Sequence, residues 1–144
     1  MIRIKSSESK YHAKKTIIDE ISFDSHAEAK YYLYLKTLKK AGEITNIEFQ
    51  PVFELQPGYW KCCKHVITDK VFMKVRKQIC PFCGKKIPKT QAITYTADFR
   101  VTYADGRIEI IDVKGMVTRA FEKTRKEFEF KYPELTLKIV RKQR

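Results

Sequence analysis

The stretch 93–115 limits most sharply how this chain can fold. Along ITYTADFRVTY, Ile93, Tyr95, Ala97, Phe99, Val101 and Tyr103 alternate with Thr94, Thr96, Asp98, Arg100 and Thr102. A period of two puts one set of side chains on each face of a strand, and a helix cannot use it. Ala104-Asp105-Gly106 then turns the chain, and RIEIIDVKG (107–115) returns. A two-residue Asp105-Gly106 turn would pair Ala104 with Arg107 and set Asp98 opposite Val113. A three-residue loop, with Gly106 in the left-handed position of a bulge, would instead pair Tyr103 with Arg107. Asp98 would then face Asp112 directly, with Lys114 two residues on along the same face.

Two opposed carboxylates repel, and such a pair asks for a cation between them. Oxygen ligands favour magnesium or manganese. Glu28 offers a third carboxylate. It belongs to a helix that Ser25 can cap and Gly42 can end, with Tyr31, Tyr32, Leu35 and Leu38 as the apolar stripe. Glu28 falls within that stripe, where an unpaired charge is costly, and it also completes an S-x-x-E capping box with Ser25.

The remaining pattern predicts a mixed α/β chain. TIIDEISF (16–23) reads as one short strand, ITNIEF (44–49) and VFEL (52–55) as extended chain interrupted at Pro51, Thr118 to Tyr132 as a helix stopped near Pro133, and LTLKIV (135–140) as a last strand. Three parts emerge: a mobile basic N-terminus (1–15), a core (16–56 and 91–144), and an inserted module (57–90).

That module carries all four cysteines and, between residues 58 and 89, nine Lys or Arg against the single acid Asp69. Cys80-Pro81-Phe82-Cys83-Gly84 has the form of a zinc knuckle. Cys62 and His65 repeat the two-residue spacing upstream, which predicts a structural Zn2+ site of Cys62, His65, Cys80 and Cys83. Cys63 is the alternative ligand, disfavoured because adjacent cysteines rarely converge on one ion. With Tyr59, Trp60 and Phe72, the module is suited to gripping nucleic-acid backbone; the alternative is that zinc merely staples a long loop.

The whole chain carries a net charge of +13, which points to a polyanionic partner. No apolar run is long enough to span a bilayer and no secretory leader is apparent, so neither a membrane partner nor a secreted, disulfide-bonded protein is expected. His12 and His26 lack ligand spacing. Tyr31, Tyr32, Tyr34 and Tyr95 read as core and rim rather than as stacking platforms.

The order helix–strand–strand–strand–helix–strand, with Glu28, then Asp98, then Asp112-Val113-Lys114, resembles the PD-(D/E)XK nuclease superfamily. FDSHAEAKYYLYL, GEITNIEFQPVFEL, YTADFRV and DVKG resemble a phage-associated branch related to Holliday junction resolvases. The resemblance implies a restriction-endonuclease-like αβββαβ core, a mixed sheet flanked by helices, here with an inserted zinc ribbon. It implies a cytoplasmic Mg2+- or Mn2+-dependent DNA endonuclease acting on duplex or branched DNA. Asp98, Asp112 and the Val113 carbonyl would hold the metal, with Glu28 completing the set. Lys114 would act on the attacking water or the transition state, and Lys30 and Arg100 are secondary candidates for phosphate contacts. A resolvase would act as a homodimer. A non-catalytic zinc-containing DNA-binding protein on the same scaffold and an RNA-binding ribbon are the other readings.

Overall fold

A computed structural model describes residues 15–68, 79–80 and 82–141 of the chain. Residues 1–14 of the expected mobile N-terminus, His12 among them, and Asp69 and Phe72 of the cysteine-bearing stretch lie outside the described residues. In chain order the elements are β1 (Thr16–Ile18), β2 (Ile21–Phe23), α1 (His26–Lys40), β3 (Ile44–Phe49), β4 (Val52–Gln56), β5 (Tyr59–Cys62) and β6 (His65–Thr68). They continue with β7 (Ile93–Thr96), β8 (Phe99–Tyr103), β9 (Ile108–Lys114), α2 (Arg119–Lys131) and β10 (Thr136–Arg141). The chain is mixed α/β and rich in sheet, and it divides into two compact units: Val52–Thr96, and the segments on either side of it.

The flanking segments build a four-stranded mixed sheet in the order β10-β9-β8-β3. β3 and β8 are antiparallel, as are β8 and β9, while β10 runs parallel to β9 through the α2 crossover. The hairpin takes the register of the three-residue loop. Phe99 pairs with Ile111 and Thr102 with Ile108, Gly106 sits at φ +87°, and the Tyr103 N–H reaches the Arg107 carbonyl at 2.9 Å. Tyr32 and Leu35 of α1 pack with Phe99, Val101, Ile111 and Val113. Alternation therefore sends Ile110, Asp112 and Lys114 to the opposite face, where α2 brings Phe121 to the Lys114 ammonium.

Both helices start on side-chain caps. The Ser25 hydroxyl accepts the Glu28 N–H at 3.2 Å, and the Thr118 hydroxyl accepts the Phe121 N–H at 3.2 Å. Gly42, at φ +80°, closes α1, with the Glu43 N–H returning to the Leu38 carbonyl at 3.0 Å.

Two expected strands are interrupted. Residues 16–23 form a hairpin rather than one strand, because Asp19 and Glu20 adopt φ of 51° and 66° and turn the chain. The Tyr32 hydroxyl (3.0 Å) and the Lys36 ammonium, both on α1, hold the Asp19 carboxylate there. Residues 93–103 divide at Ala97-Asp98, because the neighbouring chain breaks at the same level. Gln50 is left-handed (φ 47°) and Pro51 cannot donate to a ladder. Two hydrogen bonds span the gap, Gln50 N–H to the Asp98 carbonyl (3.0 Å) and Ala97 N–H to the Pro51 carbonyl (3.2 Å).

In the unit Val52–Thr96, β4 pairs antiparallel with β7 and β5 with β6. It is wider than the stretch 57–90 because the β4–β7 ribbon, with Phe53 stacked on Tyr95, belongs to it. A small core of Trp60, Ile67, Cys80 and Ile87 lies further along.

Candidate active site and metal centre

The C-terminal ends of β3, β9 and β10, the start of β8 and the first turns of α1 meet at one end of the four-stranded sheet. There the β8–β9 ladder stops at Phe99–Ile111, and Asp98 leaves the strand geometry. Its N–H donates to the Ile111 carbonyl at 3.0 Å, and its Oδ2 accepts the Val113 N–H at 2.6 Å. Two residues of β9 therefore fix Asp98.

Asp112 is 1% exposed, and its Oδ1 lies 3.0 Å from the Lys114 ammonium. That ammonium sits 5.1 Å from the centre of the Phe121 ring, a cation–π contact supplied by α2. Sequence spacing alone gave no sign of Phe121's part, which depends on the crossover returning over the end of β9.

Glu28 realises the capping box. Its Oε1 accepts the Ser25 hydroxyl at 2.7 Å and its Oε2 the Asp24 N–H at 3.3 Å. It also lines, with Asp98, Phe23, Phe49 and Gln50, a cavity of about 80 Å³. Burial pushes the Asp98 carboxyl up to about 7; the Val113 hydrogen bond opposes this, and the negative charges of Glu28 and Asp112 add to the rise. The region thus concentrates negative charge at Asp98 more than Lys114 offsets it. Glu28, Asp98 and Asp112 nevertheless do not converge as closely as a set of metal ligands. Among the described residues, the group of three or more potential ligands drawn within 4.8 Å of one another is Cys62, Cys63, Cys80 and Cys83.

That cysteine centre departs from the spacing argument. Cys63 takes the place expected for His65, whose ring stacks on Phe82 with centroids 4.3 Å apart. The reason is local. Cys63 and Lys64 occupy a β5–β6 turn at φ 51° and 62°, so Cys62 and Cys63 no longer point to opposite faces as strand neighbours would. The knuckle closes with the Gly84 N–H on the Cys80 carbonyl (2.9 Å) and the Cys80 N–H on the Lys85 carbonyl (2.8 Å).

The sulfurs of Cys62 and Cys63 are 3.7 Å apart, those of Cys62 and Cys83 3.6 Å, and those of Cys63 and Cys80 3.9 Å. Four sulfurs bound at about 2.3 Å to a tetrahedral zinc ion would lie roughly 3.8 Å apart, so the donor set fits zinc. A disulfide needs sulfurs about 2 Å apart, and all four thiols are free. The Lys85 N–H draws the Cys83 thiol down to about 7, while the hydrogen bond to Cys83 pushes Cys63 up to about 12. Cys83 therefore presents a thiolate more readily than Cys63. An ion held by all four sulfurs would have no position left for a substrate, the arrangement of a structural rather than a catalytic site.

No helix among the described residues is long and apolar enough to cross a membrane. A family model described as "Protein of unknown function (DUF1064)" matches residues 8–144. No curated protein and no solved structure gives a significant match.

Proposed function

The chain belongs to the DUF1064 family of proteins of unknown function, and we propose that it is a divalent-metal-dependent DNA endonuclease of the PD-(D/E)XK type. One observation carries this reading: Asp98 is fastened to the Val113 amide beside the Asp112–Lys114 pair, at the end of a sheet and against a capped helix bearing Glu28. With Val52–Thr96 and the β1–β2 hairpin set apart, the order α1, β3, β8, β9, α2, β10 is the one expected of a restriction-endonuclease-like αβββαβ core, which supports the reading.

In this reading Asp98, Asp112 and the Val113 carbonyl would draw together to hold Mg2+ or Mn2+, and Glu28 would orient a ligand from the helix cap. The ion, when bound, polarises the scissile phosphate and lowers the pKa of the attacking water. Lys114 would turn from Asp112 toward the negative charge developing on the phosphoryl oxygens, where a preorganised cation has its largest effect. Arg100, held near Glu48 at 3.7 Å, is too engaged to be a first choice for phosphate contact. The cysteine centre takes structural Zn2+, and its lysines grip the DNA backbone by releasing counterions. A protein of this kind would work in the cytoplasm of a phage-infected cell.

The pairing of Asp112 with Lys114 and the engagement of Glu28 in its cap also suit a second reading, a DNA-binding scaffold that does not cut. Cleavage of labelled linear duplex and four-way-junction DNA in Mg2+, Mn2+ or EDTA, with Asp112→Asn beside the unaltered protein, separates the two. Metal-dependent cutting abolished by the substitution supports the nuclease. Tight binding with no cutting on either substrate supports the scaffold, and preference for the junction, with a dimer by light scattering, would define a resolvase.

A further inference from the structure

Apart from the acidic cavity, α1 and the ends of β9 and β10 line a larger groove of about 540 Å³, within the roughly 300–1,000 Å³ range of ligand sites. Tyr31 and Tyr34 of α1 form one wall, Val113 of β9 the floor, and His26, Lys30 and Arg141 the rim. The polar groups its side chains offer are two cations, one imidazole and two phenols; among the described residues no carboxylate lines it. Arg141, the last residue of β10, reaches the groove beside Val140, the ladder partner of Val113, so the groove's cations are Lys30 from α1 and Arg141 from the sheet. The two rings lie 5.6 Å apart and tilted by 50°, with Tyr31 anchored on Phe99 and Tyr34 about half exposed. A flat ligand can therefore stack on Tyr34 while Tyr31 fixes that ring in place.

Aromatic faces with surrounding cations recognise a base and its phosphate together, and they do so only when the base is not paired. We propose that this groove holds one unpaired nucleotide of a polynucleotide strand, its base on Tyr34 and its phosphate between Lys30 and Arg141. The site rests on the nuclease reading only for its meaning: Val113 is shared with the candidate centre, so the held nucleotide lies next to the strand to be cut. The substrate is then a DNA with a single-stranded or branch-point segment, not a continuous duplex.

The test uses the full-length protein in EDTA and follows anisotropy of a fluorescein-labelled twelve-nucleotide oligothymidylate and of the same length as duplex. Tyr34→Ala is expected to weaken single-strand binding about tenfold, the loss of one stacked base, and duplex binding less than twofold. Tyr34→Phe keeps the stack and both affinities. Oligothymidylate carrying 5-iodouracil is expected to photocrosslink to Tyr34 or Tyr31, and free thymidine monophosphate to compete only weakly if a strand rather than a mononucleotide is the ligand.

Equal losses on both DNAs, no loss on either, or adducts confined to other residues would overturn the groove. The outcomes separate from those of the cleavage assay. A Tyr34-dependent preference for single strands without cutting keeps the groove and removes the nuclease. Metal-dependent cutting with unchanged single-strand affinity in Tyr34→Ala keeps the nuclease and removes the groove.

Discussion

Asp98 accepts the N–H of Val113 at 2.6 Å, so the peptide that follows Asp112 also determines where the other acid points. The two carboxylates are coupled through one rigid strand end, with no flexible segment between them. A carboxyl held this way cannot swing out to water to ionise, and burial pushes it up to about 7.

This gives a pH dependence. Between about pH 4 and 7 the unfolded chain has lost the Asp98 proton while the folded chain keeps it, so stability falls as pH rises through that window. In metal-free buffer Asp98→Asn is expected to be more stable than the unaltered protein at pH 8 by about 2 kcal/mol, after halving for partial exposure, and equal to it near pH 4. Thermal unfolding at the two pH values checks this. Added Mg2+ should raise the melting temperature at pH 8 only where Asp98 is intact.

Removing the partner of Asp112 should cost more than removing both. Lys114→Met leaves a buried carboxylate uncompensated and is expected to destabilise by about 3 kcal/mol. Asp112→Asn with Lys114→Met should recover most of that loss, a strongly non-additive cycle readable by urea unfolding.

The cysteine centre predicts a contrast between two neighbours. Cys63→Ser is expected to weaken zinc binding at least about a hundredfold, while His65→Ala changes it by less than about threefold. Competition against a chromophoric chelator measures both, with one zinc per chain expected before substitution.

Lys64, Lys85 and Lys86 are exposed on the unit that carries the metal centre. If they meet phosphates, each Lys→Ala change should reduce the slope of log K against log salt by about 1 and weaken binding alike for different DNA sequences. Anisotropy titrations across salt concentrations give the slope, and an unchanged slope would place the phosphate contacts elsewhere.

Much of the mixed sheet was readable because glycine marks it. Gly106 marks the hairpin turn in either register, the three-residue loop being selected only by the observed pairing, and Gly42 marks the end of α1. What escaped shares a physical cause. Asp19, Glu20, Gln50, Cys63 and Lys64 all have positive φ without being glycine, a backbone state that residue type does not announce. The hidden turn at Asp19 depends on Tyr32 and Lys36 of a later helix, and the swap of Cys63 for His65 depends on the turn at Cys63. The break in 93–103 escaped because alternation persists across it. Tyr95 and Phe99 are both buried, but in different units, and a period of two does not report which core a face meets. The acids at 28, 98 and 112 were legible as residues, yet Glu28's turn into its own cap is a local competition that spacing alone left open.

Val52 and Thr96 are ladder partners, and just before and after them Pro51 and Ala97 share a hydrogen bond. The cysteine-bearing unit therefore departs from the rest of the chain and returns to it at one point, as a hairpin does. A tight turn joining residues 51 and 97 would leave β3 and β8 paired and Asp98 where it is. The acidic end of the sheet and the four cysteines thus depend on separate stretches of chain, joined through residues 51–52 and 96–97.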